Sequence, residues 1–357
     1  MNPYLAVAAL VFTVSLMLAL PLVPAMAELR RRSDARPLNV DQQNAGEIRH
    51  FAHSFRAHIK ELEPTILRCA GDGTNTTCTL SDGEEYVVLG RVDEPLLIAL
   101  RERDAIHPVV MAAAVDLVMP PEGTFSKDIY AGGHFTGGEK NNYRAIFCDR
   151  EVHLGAASRV MRWAHAIGKF TAEAGCLLYG RISSDSVLRL HPDCTFLRLN
   201  APRIEFGPAA ISADENSHSS NSANPAPRKP SRFLHDGDFE VRAGRVITSD
   251  IIIRGKLRIC SGARICGSVK SIEDMVIEDG VAVEGSLISA TKMRIGPRCA
   301  IHGPVVAERE LAIAAGARFG TLEHPTTVTS PEIEVEEGVV VFGTLWARDR
   351  GHVVASQ

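Results

Sequence analysis

Val241-Arg-Ala-Gly244-Arg-Val-Ile247-Thr-Ser249 is followed by Ile259-Cys-Ser-Gly262-Ala-Arg-Ile265-Cys-Gly267, and then by Ile277-Glu-Asp-Gly280-Val-Ala-Val283-Glu-Gly285. The series continues through Ile295-Gly-Pro-Arg298-Cys-Ala-Ile301-His-Gly303 and Ile313-Ala-Ala-Gly316-Ala-Arg-Phe319. It ends at Val335-Glu-Glu-Gly338-Val-Val-Val341-Phe-Gly343. Positions 244, 262, 280, 298 and 316 are 18 apart, and the last step, to 338, is 22 and holds the insertion His324-Pro325-Thr326-Thr327. A fixed period of this length marks a solenoid.

Five residues before each anchor stand Phe239, Leu257, Met275, Met293, Leu311 and Ile333. Seven after it stand Ile251, Val269, Leu287, Val305, Glu323 and Leu345, with Glu323 alone breaking the column. Local alternation of apolar and polar residues predicts short strands. The corner positions Gly244, Gly262, Gly280, Gly316 and Gly338 fit turns that need positive φ. One coil of 18 residues cannot bury its own apolar row. Coils stacked at about 4.8 Å join their rows into one core and pair each backbone with the next.

The same period precedes a polar stretch. Phe170, Ala172, Gly175, Leu178, Gly180 and Ile182 match the template, as do Leu188, Leu190, Asp193, Phe196 and Asn200, and a coil earlier Val152, Leu154, Ala157 and Val160. Cys176 and Cys194 then fall at equivalent places in adjacent coils and read as stacked core thiols. Weaker matches at Leu117, Met119 and Phe125 set the expected solenoid at about 117 to 347. Ser212 to Ser231 is Ser/Asn/Pro-rich without a large apolar residue and reads as a disordered linker or loop.

Tyr4 to Ala27 is an uncharged run followed by Glu28-Leu-Arg30-Arg31-Arg32, so the sequence predicts an N-terminal transmembrane helix. The arginines place its C-terminal side in the cytoplasm. Ala25-Met26-Ala27 also fits a signal-peptide cleavage site, the alternative. The expected fold is thus mainly β, a single-stranded β-helix after a transmembrane helix and a small α+β region. Its expected divisions are an anchor at 1–27, a juxtamembrane helix with the α+β region at 28–115, and coils at 116–211. A linker at 212–231, coils at 232–347 and a tail at 348–357 follow.

Between 45 and 67, Ile48, Phe51, Phe55, Ile59, Leu62 and Ile66 recur at helical spacing. His50, His53 and His58 lie on this helix, but no carboxylate or thiol completes a ligand set, so a solvated face is expected and no metal. The eight cysteines are scattered without zinc spacing and read as reduced thiols, with Cys69 and Cys78 able to pair only in an exported form. A net charge of −4 gives no basic field, which argues against a nucleic-acid partner.

Val241, Ile247, Ile253, Ile259 and Ile265 fall six apart, as in hexapeptide helices, but Ser271, Ser289, Ala307 and Pro325 break the phase on a third side. That side carries Gly-x-[Val/Leu/Ile]-x-[Ser/Ala]: Gly267-Ser-Val-Lys-Ser271, Gly285-Ser-Leu-Ile-Ser289, Gly303-Pro-Val-Val-Ala307 and Gly343-Thr-Leu-Trp-Ala347, with Gly180-Arg-Ile-Ser-Ser184 in the first run. Here the sequence resembles the bactofilins, bacterial polymer-forming cytoskeletal proteins. The resemblance is good over 239–347, fair over 150–211 and absent before about 115. It implies a right-handed β-helix that associates end to end near the membrane and organises cell shape or envelope synthesis. The two runs of coils, the anchor and the N-terminal region depart from the family's short single solenoid.

On this reading the chain is a self-associating scaffold of the inner membrane. Its partners are itself, the bilayer through residues 4–27, and envelope-synthesis proteins. The tail offers little cover to the last coil, so Val341, Phe342, Leu345 and Trp346 form the expected association edge. No cofactor or catalytic residue is expected. The alternatives are a hexapeptide-type acyltransferase on envelope sugars, with His324 the best of His153, His191, His302 and His324 as base, and an exported glycan-binding β-helix.

Overall fold

In the computed structural model the described residues are 12–17, 20, 48–79, 83, 85–92, 106–107, 110–208 and 232–355. The linker expected at 212–231 lies outside them. The chain divides into two units, Met1–Glu47 and Ile48–Gln357.

In the first unit, residues 12–17 are helical. Among the described residues, no helix is long and apolar enough to cross a membrane. A bilayer core needs about 20 helical residues in one run, and six residues rise only about 9 Å. The expected transmembrane helix and single-pass inner-membrane location are therefore corrected. The rest of 4–27 lies outside the described residues.

The second unit is a β-solenoid of about 12 turns. In the second run each coil lays three short strands on three faces, as in Asp250–Ile253, Leu257–Ile259 and Arg264–Ile265. Each pairs in parallel with its equivalent one coil on. Leu257, Met275, Met293, Leu311 and Ile333 are neighbours in register. Inward residues are buried and the residue between them faces out, the alternation a one-sided strand requires. At the insertion Val328, not Glu323, pairs with Val305 and continues the apolar column. Residues 321–325 loop out, so the column that looks broken in the sequence is intact in space.

Two kinds of glycine shape the coil. The corner glycines have positive φ, 65° at Gly244 and 82° at Gly338, and Arg298 and Ala157 hold the same corners at 52° and 56°. The motif glycines do something else. A Cβ at Gly285 would sit 2.5 Å from the Gly267 backbone, and one at Gly303 2.5 Å from that of Gly285. These glycines stack backbone on backbone, and the Ser or Ala four residues on closes the corner from inside. Ser271 Oγ donates to Gly255 O at 2.8 Å and Ser289 Oγ to Glu273 O at 2.9 Å.

The first run begins before residue 117, since Glu85–Leu89 already pairs in parallel with Val110–Ala113. The helix His50–Ile59 and, after one 3-10 turn, the helix Glu63–Asp72 lie along the outer surface of the coils. Ala52, Ile59, Leu62, Ile66 and Cys69 pack on the outward Tyr86, Val88, Ala112, Phe147 and Trp163. Gly73, at φ 61°, ends the second helix. All eight cysteines are free, Cys69 and Cys78 among them.

Candidate functional site, the ends of the coil stack

A solenoid whose coils pair with their neighbours has its unspent backbone groups at its two ends. Four coil ends exist here, two per run, and each meets a different fate.

The C-terminal ends of the two runs meet each other. The strand Thr195–Phe206, last of the first run, pairs antiparallel with Val340–Val354, last of the second. Among the described residues every other pairing is parallel except the hairpin of Asn75–Thr79 with Glu85–Leu89, so this seam reverses the stack. Leu199 stands opposite Leu345 and Ile204 opposite Val341, all buried, while the outward Arg198 stands opposite Trp346 with its guanidinium 4.7 Å from the indole centroid. Asn200 Nδ2 donates to Thr344 Oγ1 at 3.0 Å, and Asp193 N to Val353 O at 2.9 Å. The Phe196 ring lies where a side chain on Gly351 would project.

The edge expected to be open is therefore spent inside the chain. Val341 and Leu345 are fully buried in the seam, Phe342 is half-buried, and Trp346 is 38% exposed. Residues 348–354, read as a tail, extend that same strand, and Arg350 to Val354 pair with Glu332 to Glu336.

The N-terminal end of the first run is closed. The strand Asn75–Thr79 folds back antiparallel on Glu85–Leu89, and the core beneath is covered, with Leu89 and Leu117 each 1% exposed. Among the described residues its outer strand on that face is Asn75–Thr79, of Asn, Thr and Cys, while Ile106–His107 and Leu117–Val118 pair on one side only.

The N-terminal end of the second run is open. Arg232–His235, Phe239–Val241 and Val246–Ile247 pair with the next coil on one side, and among the described residues no strand pairs with the other. Phe233 is 38% exposed, and Phe239 and Ile247 are half-buried. The residues directly below them in the stack, Ile251, Leu257 and Ile265, are no more than 1% exposed. Phe239 lies 4.9 Å from the Phe233 ring and 5.2 Å from His235. The columns that fill the core thus surface here as an apolar end-plate.

A polar cluster lies under the first helix. His165 is fully buried on the outer side of its coil. Its Nδ1 is 2.9 Å from Ser183 Oγ, and its Nε2 is 3.7 Å from Asp185 Oδ2, without a hydrogen bond. Arg49 Nη1 donates to Asp185 Oδ1 at 2.8 Å, and His53 stacks edge-on over His165 at 6.0 Å. Burial lowers the His165 pKa to about 4. Asp185 pulls it upward, and His53 and Arg49 push it further down. A few residues away Arg56 donates to Tyr130, which donates to Asp149, and the Arg56–Asp149 ion pair is 2.9 Å. These groups fasten the helix to the coils. Ser183 is 2% exposed, so no substrate reaches it.

The histidines weighed for catalysis are dispersed. His324 sits on the exposed turn of the insertion, its N–H donating to Thr321 Oγ1 at 3.0 Å. His302 Nδ1 lies 2.5 Å from Glu284 Oε2 on the surface, and His153 and His191 both flank Glu173. His53 and His58 on the helix lie against His165 and Tyr86. Among the described residues, no group of three or more His, Cys, Asp or Glu is placed to hold a metal ion. Sequence reasoning missed the seam and the His165 cluster, because both join residues from elements with no shared repeat position. Compared with known proteins, the chain matches no family model, no curated protein and no solved structure.

Proposed function

We propose that the chain is a β-helical scaffold of the bactofilin type that associates through the open coil at 232–247 and presents its rod to cell-shape or envelope machinery. One observation carries this reading: the apolar columns that run buried through the second run end uncovered at Phe233, Phe239 and Ile247. An exposed sheet edge with its core showing is a template for pairing with another chain. The stacked Gly-x-[Val/Leu/Ile]-x-[Ser/Ala] corners support the bactofilin type, since the backbone contact they allow is what the motif is for in this fold.

Sedimentation velocity of the full chain over a concentration series tests the reading. The expected result is concentration-dependent association that Phe233→Asp abolishes while circular dichroism stays unchanged. A chain that is monomeric throughout, or that associates equally well with Phe233→Asp, overturns it.

A further inference from the structure

We infer that association through the open coil stops at two copies, related by a two-fold axis through Leu234, so that the finished object is a closed rod rather than a filament. The inference rests on the scaffold reading above and adds the partner, the geometry and the limit.

The limit follows from counting usable ends. A filament needs two different complementary surfaces on each molecule, whereas a surface that meets only its own copy closes on itself. Two of the four coil ends here are consumed in the seam, where Leu199 faces Leu345. A third buries its core, with Leu89 and Leu117 each 1% exposed and a polar hairpin strand along Glu85–Leu89. Among the described residues, only the coil at 232–247 presents uncovered core.

The geometry follows from the seam. There, two ends of the same polarity meet antiparallel, with inward residues facing inward ones, Leu199 with Leu345, and outward facing outward, Arg198 with Trp346. Two copies of the open coil have the same relation to each other. On its first strand Phe233 and His235 lie in register with the inward Ile251 and Ile253, while Arg232 and Leu234 point out. Two antiparallel registers keep this alternation and overlap the whole strand, one centred on Phe233 and one on Leu234, and charge selects the second, since the first sets Arg232 against the partner's Leu234. The second sets Phe233 against the partner's His235 and Arg232 against the partner's Asp236. The aromatic end-plates then cover each other, and the strand ends pair opposite charges.

The same axis passes through the opposite corner and turns Arg242 and Arg245 toward their own copies. Both are exposed, so their repulsion, like the Arg232–Asp236 attraction, is screened by salt, and the apolar end-plates hold the two copies together at high ionic strength. Association held by surface ion pairs alone would weaken instead.

The test uses the full chain. Sedimentation equilibrium is expected to give a limiting mass of twice the 38.6 kDa chain, retained at high salt. Directly opposed residues of an antiparallel pair have Cβ atoms about 5 Å apart, within reach of a disulfide after a small shift. Leu234→Cys is therefore expected to give one cross-linked species of two chains on mild oxidation, absent from the unsubstituted chain treated alike. Species beyond two chains, or a two-chain species that Leu234→Cys fails to link, overturn the two-fold end and leave the scaffold reading standing. A chain monomeric at every concentration overturns both.

Discussion

Leu199 and Leu345 face each other, both fully buried, across the antiparallel seam that joins the two runs of coils. They are 146 positions apart in the chain and close the C-terminal ends of two separate runs of coils against one another. Truncating either opens a cavity at the seam, which costs about 2–5 kcal/mol for a buried leucine. Leu199→Ala and Leu345→Ala are expected to lower the denaturant midpoint, and the double variant to show a coupling of about 0.5–3 kcal/mol. Strictly additive losses would mean that the two runs do not seal each other.

Gly351 is a second probe of the seam. Any side chain there meets the Phe196 ring. Gly351→Val is expected to cost about 1–3 kcal/mol through overpacking and to expose the strand Val340–Val354 first in hydrogen exchange. Protection unchanged at Val353 would place Phe196 elsewhere.

His165 gives the fold a pH dependence. Its pKa in the folded chain, about 4, lies below the ordinary value of 6.5 because burial disfavours the imidazolium. The unfolded chain therefore takes up the proton first. Stability is complete above pH 6.5 and falls as the pH drops from there toward 4, by on the order of 3 kcal/mol. The loss is expected to appear in the helix His50–Ile59, which covers the ring, and His165→Gln is expected to flatten the profile over that range. A wild-type profile flat between pH 7 and 4.5 would contradict it.

Glycine substitutions separate the two kinds of corner. Gly303→Ala forces a methyl into the Gly285 backbone at 2.5 Å, whereas at Gly280 a Cβ has nothing within 4 Å and meets only the cost of φ 65°. Gly280→Ala is expected to cost about 1–2 kcal/mol and Gly303→Ala more, because backbone cannot step aside. Equal losses in thermal melts would mean the motif glycine serves conformation alone.

Ala157 offers the converse. It is exposed and holds φ 56° at a corner where Gly175 stands one coil later. Ala157→Gly is expected to stabilise the chain by about 1 kcal/mol, raising the melting temperature by a few degrees. No rise would show that the looser unfolded state cancels the relief.

The repeat was legible because a solenoid writes its contacts into its period. When coils have equal length, residue i meets residue i+18, so the columns through Leu257, Met275 and Met293 can be read along the chain before any coordinate exists. The break at Glu323 was misread for the same reason, since an insertion shifts the count but not the stack. The N-terminal apolar run was read by length and hydropathy alone, and among the described residues it yields no membrane-spanning helix.

The sequence by itself determined the coil, its corner glycines, its stacked motif glycines and the columns that make its core, all of them relations between nearest neighbours in a regular stack. Only the tertiary structure decided which coil ends are closed. Whether Leu345 faces solvent or Leu199 depends on how the last coils of the two runs meet, and no local period encodes that antiparallel contact. The docking of His53 over His165 depends likewise on where a helix settles across several coils. Burial of apolar surface accompanies both choices, and among the described residues it leaves one coil, at 232–247, with its core uncovered.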